Sequence, residues 1–226
     1  MSNDKKRHVI PGEVIISGSY RAEQNTVMEG NKVIATAIGL SDIHDGSVRV
    51  IPLTGTYYPK DDDLVIGKIV SHSAMSWEVN INSCYSGMLP ASDVFGRDFS
   101  SHSDDLTSKL DKGDLILSRI VNSDKTRDPL LTISGRELGK IDSGELVTIS
   151  PSKVARLIGK RGSMIQMIEG GTNSQITIGQ NGLIVVSCDN SDGLLKAIRA
   201  IELVEEKAHI ANLTDQISEM LESKSD

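Results

Sequence analysis

Residues 154–168, VARLIGKRGSMIQMI, cannot form one continuous helix, and this limits the fold more than any other stretch of the chain. Val154, Leu157 and Ile158 stand at i, i+3 and i+4, and Met164, Ile165 and Ile168 resume that helical rhythm after an interruption. Within the interruption, Gly159 and Gly162 bracket Lys160 and Arg161. Glycine inside a helix costs about 1 kcal/mol relative to alanine, so the pair ends one short amphipathic helix and starts another. The fold must hold a bare, cationic bend between two short helices whose apolar faces need a common support.

The flanks supply that support. GELVTIS, residues 144–150, reads as a strand, and Pro151 opens the first helix at a position where its missing N–H costs nothing. QITIGQNGLIVVSC, residues 175–188, reads as a hairpin whose Asn181-Gly182 pair fits a type I′ turn. A long helix follows from about Ser191, with Leu194, Leu195, Ile198, Ile201 and Leu203 apolar. The expected order is strand, helix, GxxG, helix, hairpin, helix. Beyond Ala208, Ile210, Leu213, Ile217, Met220 and Leu221 keep helical spacing, and the segment is read as a helix end or tail.

The preceding two thirds of the chain have a different period. EVIISG, KVIATAIGL and SVRVIPL are β-prone runs separated by MEGN and IHDGS turns, which predicts a small antiparallel β domain over residues 1–60. YYPKDDD marks a junction near residues 59–63, where consecutive aspartates on an extended chain point to alternate sides and read as a solvated turn. From Leu64, the runs LVIGKIVSHS, SWEVNIN, YSGMLPASDVF, DLILSRIVNS and PLLTIS predict a five-stranded OB-type barrel within residues 61–140, with an insertion at 96–111. The fold class expected is multidomain, mainly β and then α+β.

Charge has to be read locally. The formal net charge is −7 and the pI about 5.3, which argues against attraction of the whole molecule to nucleic acid. Yet no acid lies between residues 146 and 168, where Lys153, Arg156, Lys160 and Arg161 cluster. The 2 cysteines, Cys84 and Cys188, have no metal-ligand spacing and read as core thiols in a reducing compartment. No secretory leader or membrane span is recognisable, so the expected location is the cytoplasm, and no metal or cofactor site is expected. The 5 histidines fall in no HExxH or nucleophile–base arrangement, so no catalytic residue is nominated.

Chemistry explains the bend. Glycines without Cβ atoms let a sugar-phosphate backbone lie against Gly159 and Gly162, and the N-terminus of the second helix, at Gly162 and Ser163, favours an anion. Lys160 and Arg161 add charge, Lys153 and Arg156 extend the patch, and Ile158, Ile165 and Ile178 are nominated as the aliphatic groove for bases. GxxG between two such helices beside three strands is the signature of a KH module, in βααββα (type I) order over residues 141–212, with residues 213–226 beyond it. The P-loop pattern GxxxxGK[ST] is absent. In the barrel, Trp77 is the candidate base stacker, with Tyr85 and Phe95 behind it, and Arg97, Arg119 and Arg127 are candidate phosphate contacts; a core position for Trp77 is the competing reading.

The order of parts, with VIPGEVI near the start, TRDPLLTISGRELGKI ending the barrel and PSKVARLIGKRGSMI opening the last module, resembles the ribosomal-RNA-processing-protein-four family of archaeal exosome cap subunits. The likeness runs from about Val9 to Glu206. It implies an S-one-type barrel, and three copies seated on a hexameric ring of phosphorolytic subunits through the N-terminal β domain. It also implies a non-catalytic role: capture of single-stranded RNA and delivery of its 3′ end to the ring. Barrels of this type often carry phenylalanines on the second strand and a histidine after the third; here Trp77 stands near a phenylalanine position and Pro90 where histidine is common, which shifts the expected RNA contact toward Lys160, Arg161 and the loop arginines. A freestanding RNA chaperone or translation regulator would use the same modules without a ring.

Overall fold

Alternating β-prone runs pair early in the chain because each is too short to bury its apolar face alone. The computed structural model describes residues 6–96, 99–100, 105–124, 126–208 and 212–222. It divides into two units, one up to Gly55 and one from Thr56 onward. In the first, β1 (His8–Val9), β6 (Gly39–His44), β7 (Ser47–Pro52) and β3 (Arg21–Ala22) form one sheet in that order; β2 (Val14–Ser17), β5 (Lys32–Ala35) and β4 (Thr26–Glu29) form another. Val9, Ala35 and Val50, joined by Ile15, make its small core. Asp42 and Arg49 face each other across β6 and β7 with Nε–Oδ2 2.8 Å and Nη2–Oδ2 2.7 Å, and the guanidinium holds the Asp42 carboxyl below the usual carboxylate range.

The division falls ahead of the expected junction because Tyr57 belongs to the second unit. Its ring is buried in the barrel core, and its hydroxyl donates to Asp63 Oδ2 at 2.6 Å. Burial, and then the Asp63 carboxylate, push the phenol far above its ordinary pKa. The aspartates each take a separate structural partner: Asp61 Oδ1 accepts from Ser123 N–H at 2.7 Å, and the Asp62 carbonyl accepts from Arg119 Nη1 at 2.9 Å.

β8 (Leu64–His72), β9 (Ser76–Asn80), β10 (Ser86–Pro90), β11 (Leu115–Asn122) and β12 (Leu130–Thr132) close into the expected five-stranded barrel. β12 runs parallel to β10 and antiparallel to β11, which returns to β8. The short α1 (Ala91–Phe95) follows β10, and its Asp93 ties back to β12 by accepting from Thr132 Oγ1 at 2.9 Å and Ile133 N–H at 2.6 Å. β13 (Gly139–Ile141) adds to β11.

The last module follows the βααββα order. β14 (Glu145–Thr148) leads through a 3-10 turn at Pro151–Lys153 into α2 (Val154–Ile158); α3 (Ser163–Thr172), β15 (Gln175–Ile178), β16 (Leu183–Ser187) and α4 (Ser191–Lys207) follow. The sheet is antiparallel with order β14-β16-β15. Leu157, Met164, Ile168, Ile184, Val186 and Ile201 are among the residues of its helix-facing core. The expectation of a helix end or tail after Ala208 is corrected. Leu213–Glu222 forms a separate helix, α5, whose Leu213 and Ile217 are wholly buried in that same core, with Leu221 packed where α3 presents Gly171. Cys84 is exposed and Cys188 half-buried, against the expectation of two core thiols. Among the described residues, no helix is long and apolar enough to cross a membrane.

Both faces of β16 are covered. Ile184 and Val186 face the helices, while Leu183 and Val185 meet Ile66 of the barrel, with Leu115, Leu117, Ile141 and Leu146 around them. The polar centre of this junction is Asn181, fully inaccessible to solvent. Its Nδ2 donates to the carbonyls of Ile66 at 2.7 Å and Ile81 at 2.8 Å, and its Oδ1 accepts from Ile66 N–H at 3.3 Å. Beside it, Gln180 N–H donates to the Leu64 carbonyl at 2.8 Å, and Leu64 N–H donates to Gln180 Oε1 at 2.6 Å. A Cβ on Gly179 would sit 2.7 Å from Ile66 N, so only glycine lets the hairpin approach the strand this closely. The type I′ assignment fails here. Gly182 is left-handed at φ +82° but Asn181 is not, and Gly182 N–H bonds to the Gly179 carbonyl at 3.1 Å to close the turn.

Candidate nucleic-acid interface

At the bend, helix α2 stops because Gly159 turns to φ +73°, ψ 178°, a conformation closed to residues with a side chain. Space forbids a side chain as well: a Cβ there would lie 2.7 Å from Met164 Cβ and 2.8 Å from Met164 N. Gly162 is different. It is left-handed at φ +81°, and a Cβ there would meet only ordinary van der Waals contacts, with Gln166 Nε2 nearest at 3.7 Å. Gly159 therefore serves packing within the bend, whereas Gly162 leaves the outer surface bare beside the first turn of α3, where helix N–H groups favour an anion.

Lys160 and Arg161 are both exposed between these glycines. Arg161 is itself left-handed, at φ 55° and ψ 32°, an uncommon state for a residue with a long side chain. This turns two successive cations outward at the N-terminus of a ten-residue helix. Ser163, the first residue of α3, is exposed. Ile158 is 36% exposed rather than sharing the buried face of Val154 and Leu157, which suits a groove residue. Ile165 and Ile178 are half-buried, each packed on the core with part of its surface outward.

The remaining nominated cations are spread more widely. Lys153 is half-buried, and its Nζ donates to the Glu205 carbonyl at 2.7 Å, near the end of α4. It ties the start of α2 to the end of α4 through a carbonyl 52 residues away, a partner that carries no charge to offset the ammonium. Glu205 also accepts from Ser150 N–H at 3.0 Å and Ser150 Oγ at 2.9 Å. Arg156 on α2 is half-buried. In the barrel, Arg119 is committed to the Asp62 carbonyl, Arg127 is exposed on the β11–β12 connection, and Arg97 lies outside the described residues.

Trp77 is not a surface stacker. It is wholly buried in the barrel core, its indole Nε1 donates to the Leu110 carbonyl at 3.0 Å, and its ring stacks on Phe95 with centroids 6.3 Å apart. The pattern SWEVN carries the reason: Trp77 and Val79 share the inward face of β9, and Glu78 and Asn80 the outward face. Saturating oligonucleotide is expected to leave the emission of this single tryptophan nearly unchanged, within roughly 10% for an indole already removed from solvent. Strong quenching in a fluorescence titration would contradict the buried placement.

Comparison with known proteins agrees with this arrangement. Residues 6–54 match the model of the exosome RNA binding protein RRP4 N-terminal domain, and residues 144–203 match that of the KH domain. The chain is 65% identical to exosome complex component Rrp4 of Nitrosopumilus maritimus, over 98% of each chain. It is 41% identical to the Rrp4 of Thermofilum pendens, over 97% of this chain and 94% of that one. A crystal structure described as an exosome complex RNA-binding protein superposes with a TM-score of 0.71 at 42% identity, covering 74% of this chain and 96% of the other. With identity of this level carried from one end of the chain to the other, through both matched domains, the protein belongs to the exosome complex component Rrp4 family.

Proposed function

We propose that this protein is the RNA-capturing, non-catalytic component of a cytoplasmic exosome. In this reading three copies sit on a hexameric ring of phosphorolytic subunits, docked through the N-terminal β unit, and pass the 3′ end of single-stranded RNA inward. The observation that carries it is the GKRG bend: two exposed cations and a bare glycine at the first turn of α3, framed by half-exposed Ile158, Ile165 and Ile178. Relatives named exosome complex component support the assembly, and the solved structure described as an RNA-binding protein supports the ligand. No reaction is assigned to the chain; the bend binds and orients a strand, and cleavage belongs to the ring.

Affinity at one bend is modest, because the molecule as a whole carries net negative charge. Three copies around one entrance would raise avidity by roughly 10² or more, provided one strand reaches several of them. The test is reconstitution. Mixed with phosphorolytic ring subunits, the protein is expected to co-elute with them in size-exclusion chromatography and to accelerate degradation of long RNA. Migration as a separate species, with RNA bound and no ring attached, would favour the freestanding chaperone.

A further inference from the structure

OB-type barrels present oligonucleotides to the outward face of their second and third strands. Here those strands are β9 and β10, and none of their described outward residues is aromatic. At the centre stands Glu78, paired directly with Met88 on β10, which is 43% exposed. Glu78 is held from both sides: Ser71 Oγ donates to Oε2 at 2.7 Å and Ser86 Oγ donates to Oε1 at 3.0 Å. A surface glutamate ordinarily samples many rotamers, whereas this carboxylate is anchored across three strands. The Ser71 hydroxyl, and then that of Ser86, keep it below the usual carboxyl range and so ionised at neutral pH.

Each carboxylate oxygen accepts one serine hydroxyl and keeps further lone-pair capacity, so two adjacent acceptors remain. Among the RNA bases, guanine alone carries two adjacent donors on its Watson–Crick edge, N1–H and the N2 amino group. Adenine and cytosine place one amino group beside an acceptor, and uracil places one N–H between two carbonyls. Met88 offers a polarisable apolar contact to the base, and exposed Lys68, opposite Asn80 on the outward side of β8, offers a cation to phosphate. We propose that Glu78 reads guanine in single-stranded RNA, accepting N1–H and N2–H while the base rests against Met88. This rests on the RNA-binding reading above and deepens it by assigning a base preference to the barrel.

The experiment compares oligoadenylates containing isolated guanosines with the same strands carrying inosine, which lacks only the N2 amino group. The full chain and its Glu78→Gln variant are measured by fluorescence anisotropy. The native protein is expected to favour guanosine over inosine by roughly 5- to 100-fold, as for other paired side-chain–base contacts. Glu78→Gln, on an exposed side chain, is expected to fold normally and bring that ratio to within about twofold. Equal native affinity for the two strands would overturn the proposal. So would a Glu78→Gln variant that binds every strand more tightly by the same factor, since the carboxylate would then only repel phosphate. Absence of measurable binding to any strand by the native protein would overturn the RNA-binding reading itself, and this proposal with it.

Discussion

The double variant Lys160→Asp/Arg161→Asp is expected to bind single-stranded RNA about 10²-fold more weakly or worse, with its thermal unfolding nearly unchanged. Both side chains are exposed, so the native state loses no packing with them. Aspartate tolerates the left-handed backbone that Arg161 occupies, and a carboxylate beside the first turn of α3 interacts favourably with the helix N-terminus. Folding stability should therefore move by no more than about 0.5 kcal/mol, the ordinary range for surface substitutions. Binding has no such compensation. Each charge-assisted contact to phosphate contributes about 1.5–3 kcal/mol, and the new carboxylates occupy the place of the phosphate as well as removing its partners. The salt dependence gives a second readout: the slope of log affinity against log salt should become shallower by about 1.4, at about 0.7 per lost contact with a single strand. Anisotropy titrations across a salt series would measure both, and an unchanged affinity would remove the bend from the interface.

The largest effect on stability is expected at Asn181. Asn181→Ala leaves two buried carbonyls, Ile66 and Ile81, and one buried N–H, that of Ile66, without their partner. An orphaned buried polar group costs about 1–3 kcal/mol, so a loss of roughly 3–5 kcal/mol is expected even if water partly fills the gap. Asn181→Asp should be worse still, because an acceptor would then face two carbonyl oxygens in a place closed to solvent. Gln180→Ala provides the comparison. Its side chain accepts a single bond from Leu64 N–H at an exposed edge, and about 0.5–1.5 kcal/mol is expected there. Chemical denaturation of the three variants would give the ranking, and an Asn181→Ala loss below about 1 kcal/mol would mean that the hydrogen bonds described do not hold the junction.

How much of this was legible depends on whether the informative partner was close in sequence. The bend could be read directly, since the two glycines and the resumed helical rhythm lie within fifteen residues and the strands that support it flank them. The five barrel strands were legible for the same reason: each carries its own period and turn. For Trp77 residue type suggests a base stacker, whereas the alternation in SWEVN places it with Val79 on the inward side, which is the competing core reading. Asn181-Gly182 looked like turn chemistry alone. Nothing local marked Asn181 as facing Ile66, 115 residues earlier, yet a signal existed in the unbroken apolar runs LIVV and LVI, which fit strands covered on both faces. The helix at Leu213–Glu222 showed its apolar stripe, but a stripe does not identify the surface that covers it. Lys153 likewise carries no local sign of its tie, because its carbonyl partner comes from the far end of the module.

The double-sided burial of β16 bears on how such a chain can be dissected or recombined. A fragment trimmed to begin at residue 144 would retain its helices, but it would bare Leu183, Val185 and Leu146 to water, together with the amide of Asn181. A barrel cut off before the same point would expose Ile66, Leu115 and Leu117 in return. Domain shuffling and expression of excised pieces presuppose seams that can be reopened without penalty. At this seam barrel and KH module pack as one cassette, so a substitution on either side meets the side chains of the other.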